Sequence, residues 1–209
     1  MRPLLNNLSL GLALSLTLAM SNATASEDVM QGDAQEGKAK STTCLACHSA
    51  DGNSVVPTFP KLAGQHAEYT VKQLNDFKAG DRVDGTMQGM VAALSEQDML
   101  NLGKFYSEQT PNVGEVSAEM ADAAKAGEEI YRAGLAKFSV TACMACHGPD
   151  GKGVAPSFPR LSGQHAPYIE KQLLAFKDGS RTDSMMSSIA FPLSAEQIKN
   201  LAIYISGLY

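Results

Sequence analysis

The sequence predicts an all-α fold of two tandem helical domains, and three observations predict it. Residues 44–87 and 143–186 align without a gap at an offset of 99, with 25 of 44 positions identical, which marks a duplicated unit. Apolar residues recur at helical spacing within each copy, around Tyr69, Leu74 and Phe77 in the first and Tyr168, Leu173 and Phe176 in the second. No stretch of useful length alternates as a strand does. The composition, 44% hydrophobic and 19% charged, is that of a globular chain. Each unit is small enough that its core needs something beyond its own apolar side chains.

The chain opens with one base, Arg2, an apolar run over about 8–20, and then Ala23-Thr24-Ala25. That pattern is a secretory signal peptide, 1–25, with cleavage near Ala25; the apolar run is shorter than the ~20 residues a spanning helix needs. Removing Arg2 leaves 16 bases against 22 acids, a formal charge of −6 on the mature chain. That balance excludes a nucleic-acid binder working through a strong positive field and favours basic protein partners. No later segment is apolar enough to span a bilayer, so the expected mature protein is exported, without a transmembrane segment, and peripheral contact with a membrane stays open.

A short helix is expected over Asp33–Thr43, leading into Cys44-Leu45-Ala46-Cys47-His48; the second copy reads Cys143-Met144-Ala145-Cys146-His147. A thioredoxin-like redox pair needs no following histidine and belongs near a βαβ pattern, which is absent, and Cys47 and Cys143 are too far apart for a zinc ribbon. Covalent c-type haem attachment remains. Two thiols reach the vinyl groups on one porphyrin edge, and the adjacent imidazole, His48 or His147, is carried beneath the iron. Twelve residues on come Pro60 and Pro159. A proline carbonyl there could accept from the imidazole Nδ1–H and fix the ring, or the proline could serve only as a rigid turn; the two roles are compatible.

His66 and His165 stand where the next helix begins, and Gly80 and Gly179 where it should stop. Met87 and Met186 each follow the motif histidine by 39 residues, in what reads as a loop before the last helix. Thr86 and Ile189 replace the neighbouring methionines Met185 and Met90 in the other copy. Repetition therefore singles out Met87 and Met186 as sixth ligands, ahead of the equivalent pair His66 and His165, which read as helix-start or surface residues. Arg82 with Arg181 and Lys72 with Lys171 could meet haem propionates or lie solvated. The last helices open at Leu94-Ser95 and Leu193-Ser194, the latter with the capping-box form Ser194-x-x-Gln197.

Residues 26–109 and 118–209 are the two expected domains, joined by a linker, 110–117, that holds Pro111 and Gly114. Gly37 precedes Cys44 by 7 residues whereas Gly127 precedes Cys143 by 16. The second domain, after a helix over 118–132, thus carries a nine-residue insertion around Gly134-Leu135-Ala136, expected as a loop near one haem edge or at the domain interface.

With the paired Cys-x-x-Cys-His motifs, the turns Asp51-Gly52-Asn53 and Asp150-Gly151-Lys152, the strings Phe59-Pro-Lys-Leu-Ala-Gly-Gln and Phe158-Pro-Arg-Leu-Ser-Gly-Gln, the Lys-Gln-Leu triplets and Met87-Gln-Gly-Met90, the mature chain resembles the dihaem cytochromes c4 over essentially its whole length. The resemblance implies two cytochrome c-like helical domains, each wrapped around one covalently attached haem, with His48 and Met87 on one iron and His147 and Met186 on the other, and Pro60 and Pro159 accepting from the proximal imidazoles. It departs at Met185-Met186-Ser-Ser, which replaces Thr86-Met87-Gln-Gly. It further implies an electron carrier, not an enzyme, in the periplasm, passing electrons from a respiratory donor complex to a terminal oxidase. Two other readings are the electron-transfer subunit of a periplasmic dehydrogenase and a dihaem peroxidase. The latter would need an open iron, and no convergent acid-base group supports it.

Overall fold

The computed structural model describes residues 31–209; the segment read as a signal peptide lies outside the described residues. Among the described residues every regular element is helical, and β pairing is confined to isolated bridges. In the first half α1 spans Ala34–Lys40, α2 Leu45–His48, α3 Ala67–Ala79, α4 Gly85–Val91 and α5 Glu96–Ser107. The second half repeats that order as α6 (Ala121–Ala133), α7 (Met144–His147), α8 (Ala166–Asp178), α9 (Met186–Ala190) and α10 (Ala195–Ser206).

Each half is organised by the crossing of its first helix on its last, α1 on α5 and α6 on α10. A glycine makes that crossing close. A Cβ built on Gly37 would lie 2.0 Å from the Asn101 carbonyl oxygen, and one on Gly127 would lie 2.1 Å from that of Asn200, so any side chain would force the helices apart. The last helices begin with full capping boxes, Ser95 with Asp98 and Ser194 with Gln197, satisfying two otherwise orphaned N–H groups each. The box at Ser95 escaped the sequence reading because aspartate stands in for the usual Glu or Gln. Their buried faces supply Leu102, Phe105 and Tyr106 to the first core and Ile198, Leu201, Ala202 and Ile205 to the second. Gly80 and Gly179 end α3 and α8 in the left-handed region, at φ 86° and 82°, where a Cβ would be strained.

One expectation is corrected. Met87 and Met186 do not lie in loops: Met87 is in α4 and Met186 begins α9. These helices have seven and five residues, and each buries a single side chain, Val91 or Ala190, so there is no apolar periodicity to detect. The insertion forms a small hairpin. Leu135 and Val140 exchange backbone hydrogen bonds of 2.9 and 3.1 Å around a 3-10 turn, Ala136–Phe138, and the buried Val140 joins the second core just ahead of Cys143.

Residues 110–117 contain neither helix nor strand, yet they are strapped down. Asn53 donates from Nδ2 to the Thr110 carbonyl at 3.0 Å and accepts the Asn112 N–H at 2.8 Å, and Gly114 runs against the Ser206 carbonyl at the end of α10.

Candidate haem-binding sites

The Cys-x-x-Cys-His motifs form single helical turns. In α2 the His48 N–H donates to the Cys44 carbonyl at 3.0 Å, and in α7 the His147 N–H donates to that of Cys143 at 2.9 Å. One turn sets the second cysteine and the histidine side by side above the first. None of the four motif cysteines is paired in a disulfide.

Both imidazoles are buried, at 6% exposure each, and burial holds both below the ordinary histidine range, partly offset by a backbone hydrogen bond. That bond is the same in both halves: His48 Nδ1 lies 2.8 Å from the Pro60 carbonyl oxygen and His147 Nδ1 lies 3.0 Å from that of Pro159. A carbonyl can only accept, so Nδ1 carries the proton and the Nε2 lone pair is left to bind a metal. Phe59 and Phe158 stand 6.5 and 6.3 Å from the two rings. Two neighbouring thiols, a neutral buried imidazole of fixed tautomer and an aromatic wall are the donor set that covalent c-type haem requires, so these residues fit that group.

Met87 and Met186 are half-buried, while Met90 and Met185 are 40% and 50% exposed. The backbone at each methionine is held by an aspartate three residues earlier. Asp84 Oδ1 accepts the Met87 N–H at 3.1 Å, and Asp183 Oδ1 accepts those of Met186 and Met185 at 3.0 Å. Burial pushes the Asp183 carboxyl up, but those two N–H groups and the nearby charges of Lys72 and Arg181 outweigh it and hold it below the usual carboxylate range.

The remaining paired residues meet at the interface between the halves. Gln65 accepts the Arg160 N–H and donates to the Arg160 carbonyl, each at 2.9 Å; Gln164 does the same to Lys61, also at 2.9 Å. At the offset of 99, Gln65 corresponds to Gln164 and Lys61 to Arg160, so the two contacts are related as by a two-fold axis. The arginines obey the same symmetry. Arg82 donates to Gln73, Gln172 and Tyr168 at 2.6–2.8 Å, and Arg181 donates to Gln172, Gln73 and Tyr69 at 2.6–3.1 Å. Each guanidinium also lies over its own phenylalanine, Phe77 at 4.5 Å and Phe176 at 4.4 Å, an attraction that helps the two like charges share the seam.

His66 and His165 lie beside this seam, at the starts of α3 and α8. His165 Nε2 is 2.8 Å from the Ser54 carbonyl across the interface, whereas the buried Nε2 of His66 has no hydrogen-bond partner among the described residues. The symmetry breaks there: the counterpart of Ser54 is Gly153, which has a positive φ of 77°. Sequence reasoning missed the whole seam. The available signal was the identity in both copies of polar residues such as Gln65 and Gln164.

Two helical units, each presenting Cys-x-x-Cys-His over a carbonyl-fixed imidazole, define a pair of c-type cytochrome domains. Residues 34–109 and 124–208 each match the family described as Cytochrome c. The chain is 42% identical over 192 residues to a cytochrome c4 of Azotobacter vinelandii, covering 85% of this chain and 90% of that one. The solved structure of reduced recombinant cytochrome c4 from Pseudomonas stutzeri superposes with a TM-score of 0.81 at 42% identity, over 85% of this chain and 100% of that one. A thiosulfate dehydrogenase electron acceptor of Stutzerimonas stutzeri is 33% identical over 94% of this chain and 91% of its own length. The chain belongs to the cytochrome c4 family: it is an electron-transfer protein with two covalent haem c groups. No helix among the described residues is long and apolar enough to cross a membrane.

Proposed function

We propose that this chain is a periplasmic carrier that takes single electrons from a respiratory donor complex and delivers them to a terminal oxidase. The domains are 26–109 and 118–209, joined by 110–117. In this reading Cys44 and Cys47 hold one haem and Cys143 and Cys146 the other. His48 and His147 are the proximal ligands, Met87 and Met186 complete the two coordination spheres, and the carbonyls of Pro60 and Pro159 orient the imidazoles. The chemistry each haem supplies is reversible one-electron exchange at its iron.

The observation that supports the reading best is the recurrence, in both halves, of a buried imidazole tied to a proline carbonyl and a methionine 39 residues later whose backbone N–H is held by an aspartate. Two strong ligands that suit both oxidation states leave little to rearrange and no open position for chemistry. The engagement of His165 with Ser54 further favours methionine over histidine. The test is a redox titration of the mature holoprotein followed optically, with stopped-flow oxidation by a purified terminal oxidase. Two high-potential transitions, a thioether-to-ferric-iron band in the far red and oxidation on the millisecond scale are expected; peroxide turnover would favour the enzyme reading.

A second reading is supported by the thiosulfate dehydrogenase electron acceptor among the relatives: the donor is a soluble dehydrogenase. Reduction by a thiosulfate-oxidising enzyme faster than by a membrane donor complex would establish it.

A further inference from the structure

We propose that Asp84 and Asp183 are positioning residues for the two haem thioethers, and that Lys171 extends this control across the interface, so that the methionine of the first haem is held partly by the second half. The inference rests on the reading that Met87 and Met186 are the sixth ligands.

The helices that bear these methionines have little else to hold them. α4 buries only Val91 and α9 only Ala190, and helices this short do not persist on propensity alone. What recurs at both is the carboxylate. Between Asp84 and Met87 lie Gly85 and Thr86, and between Asp183 and Met186 lie Ser184 and Met185. The intervening residues have changed completely between the copies while the aspartate, its spacing and its bond to the methionine N–H have not. Asp84 is the N-cap of α4, whereas Asp183 stands two residues ahead of the N-cap of α9, Met185. In both, a carboxylate bonded to the methionine N–H fixes where the first turn starts, and the methionine occupies that turn. Its sulfur is therefore aimed by the aspartate.

Lys72 acts on Asp183 only at longer range, so the direct ion pair across the interface is one-sided, and the sequence shows why. Lys72 and Lys171 are counterparts, but Lys72 is drawn to Asp76 one turn on, at 2.6 Å, and the counterpart of Asp76 is Ala175. Lys171, without that partner, reaches over to Asp84, with Nζ 3.7 Å from Oδ2. The Asp84 carboxylate thus accepts the Met87 N–H through one oxygen and faces a lysine of the other half through the second. Asp183 has no such direct pair among the described residues. Both members of the Lys171–Asp84 pair are substantially exposed, so its contribution is small and screened by salt.

The experiment measures cyanide association with the ferric holoprotein, since cyanide binds only when the thioether lets go, together with the far-red band and the potential of each haem. Losing a cap should raise the thioether-free fraction about fivefold, so Asp84→Ala should speed cyanide binding about fivefold at one haem and leave the other unchanged, with haem content intact. Asp84→Asn, which keeps an oxygen acceptor, should restore most of the wild-type rate. Lys171→Gln should give a smaller rise at the same haem that disappears at high ionic strength, and Asp183→Ala should act on the other haem. Wild-type rates in Asp84→Ala, in a protein whose band at that haem is lost in Met87→Ala, would overturn the positioning role. A band that survives Met87→Ala would overturn the ligand assignment and the positioning role together. Should Asp84→Ala fail to fold, loss of the Asp84→Asn rescue or a salt-independent effect of Lys171→Gln counts against the proposal.

Discussion

Gln164 pairs with Lys61 as one strand residue pairs with another: its side-chain amide takes the Lys61 N–H and gives a hydrogen back to the Lys61 carbonyl, both at 2.9 Å. A side chain here completes the backbone of the other half, and Gln65 repays the contact at Arg160. Replacing Gln164 by alanine strands two half-buried backbone groups, a loss of about 1–3 kcal/mol. Calorimetry of the holoprotein should then resolve two unfolding transitions more widely separated than in the wild type. An unchanged thermogram would mean that the halves are held by other contacts.

Export and attachment are checked by mass. The mature protein should begin at Ser26 or next to it and weigh the polypeptide plus two haems that acidic organic solvent does not extract. A single haem, or extractable haem, would contradict the reading of Cys44, Cys47, Cys143 and Cys146.

The second axial assignment is the sharper one, because Met185 and Met186 are adjacent. Met186→Ala should lower the potential of one haem, remove its far-red band and admit carbon monoxide to its ferrous form, while Met185→Ala, at an exposed position, should do none of these. The reverse result would move the ligand by one residue.

Acid stability has a specific contributor in Asp98. A hydrogen bond from Lys40 at 2.9 Å, then the N–H and hydroxyl of Ser95, hold its carboxyl down from 3.8 to about 2. A carboxyl depressed in the folded state adds stability that is complete above its unfolded value and is lost as pH falls through the folded one. Asp98→Asn should therefore lower the denaturation midpoint of the first half at neutral pH, and its difference from the wild type should shrink between pH 3.8 and about 2. A difference independent of pH would assign the effect to the cap and not to the charge.

Which of these features could be read from the chain depends on how local their causes are. The motif turns, the helix stops at Gly80 and Gly179 and the methionine pair follow from short-range geometry and from the repeat. α4 was invisible because a capped turn with one buried residue has no period. The seam around Gln65, Arg82 and their counterparts was invisible for another reason: a surface that meets its own copy carries no composition unlike ordinary polar exterior, and only folding both copies brings Arg82 to Tyr168.

Self-complementarity of that seam gives the strapped segment 110–117 a second task. Each half offers a face that fits the equivalent face of any other molecule of the same protein, as in a symmetric dimer. A short tether raises the local concentration of the proper mate to about the millimolar range, far above that of free copies, so the two halves of one polypeptide close on each other before strangers can exchange.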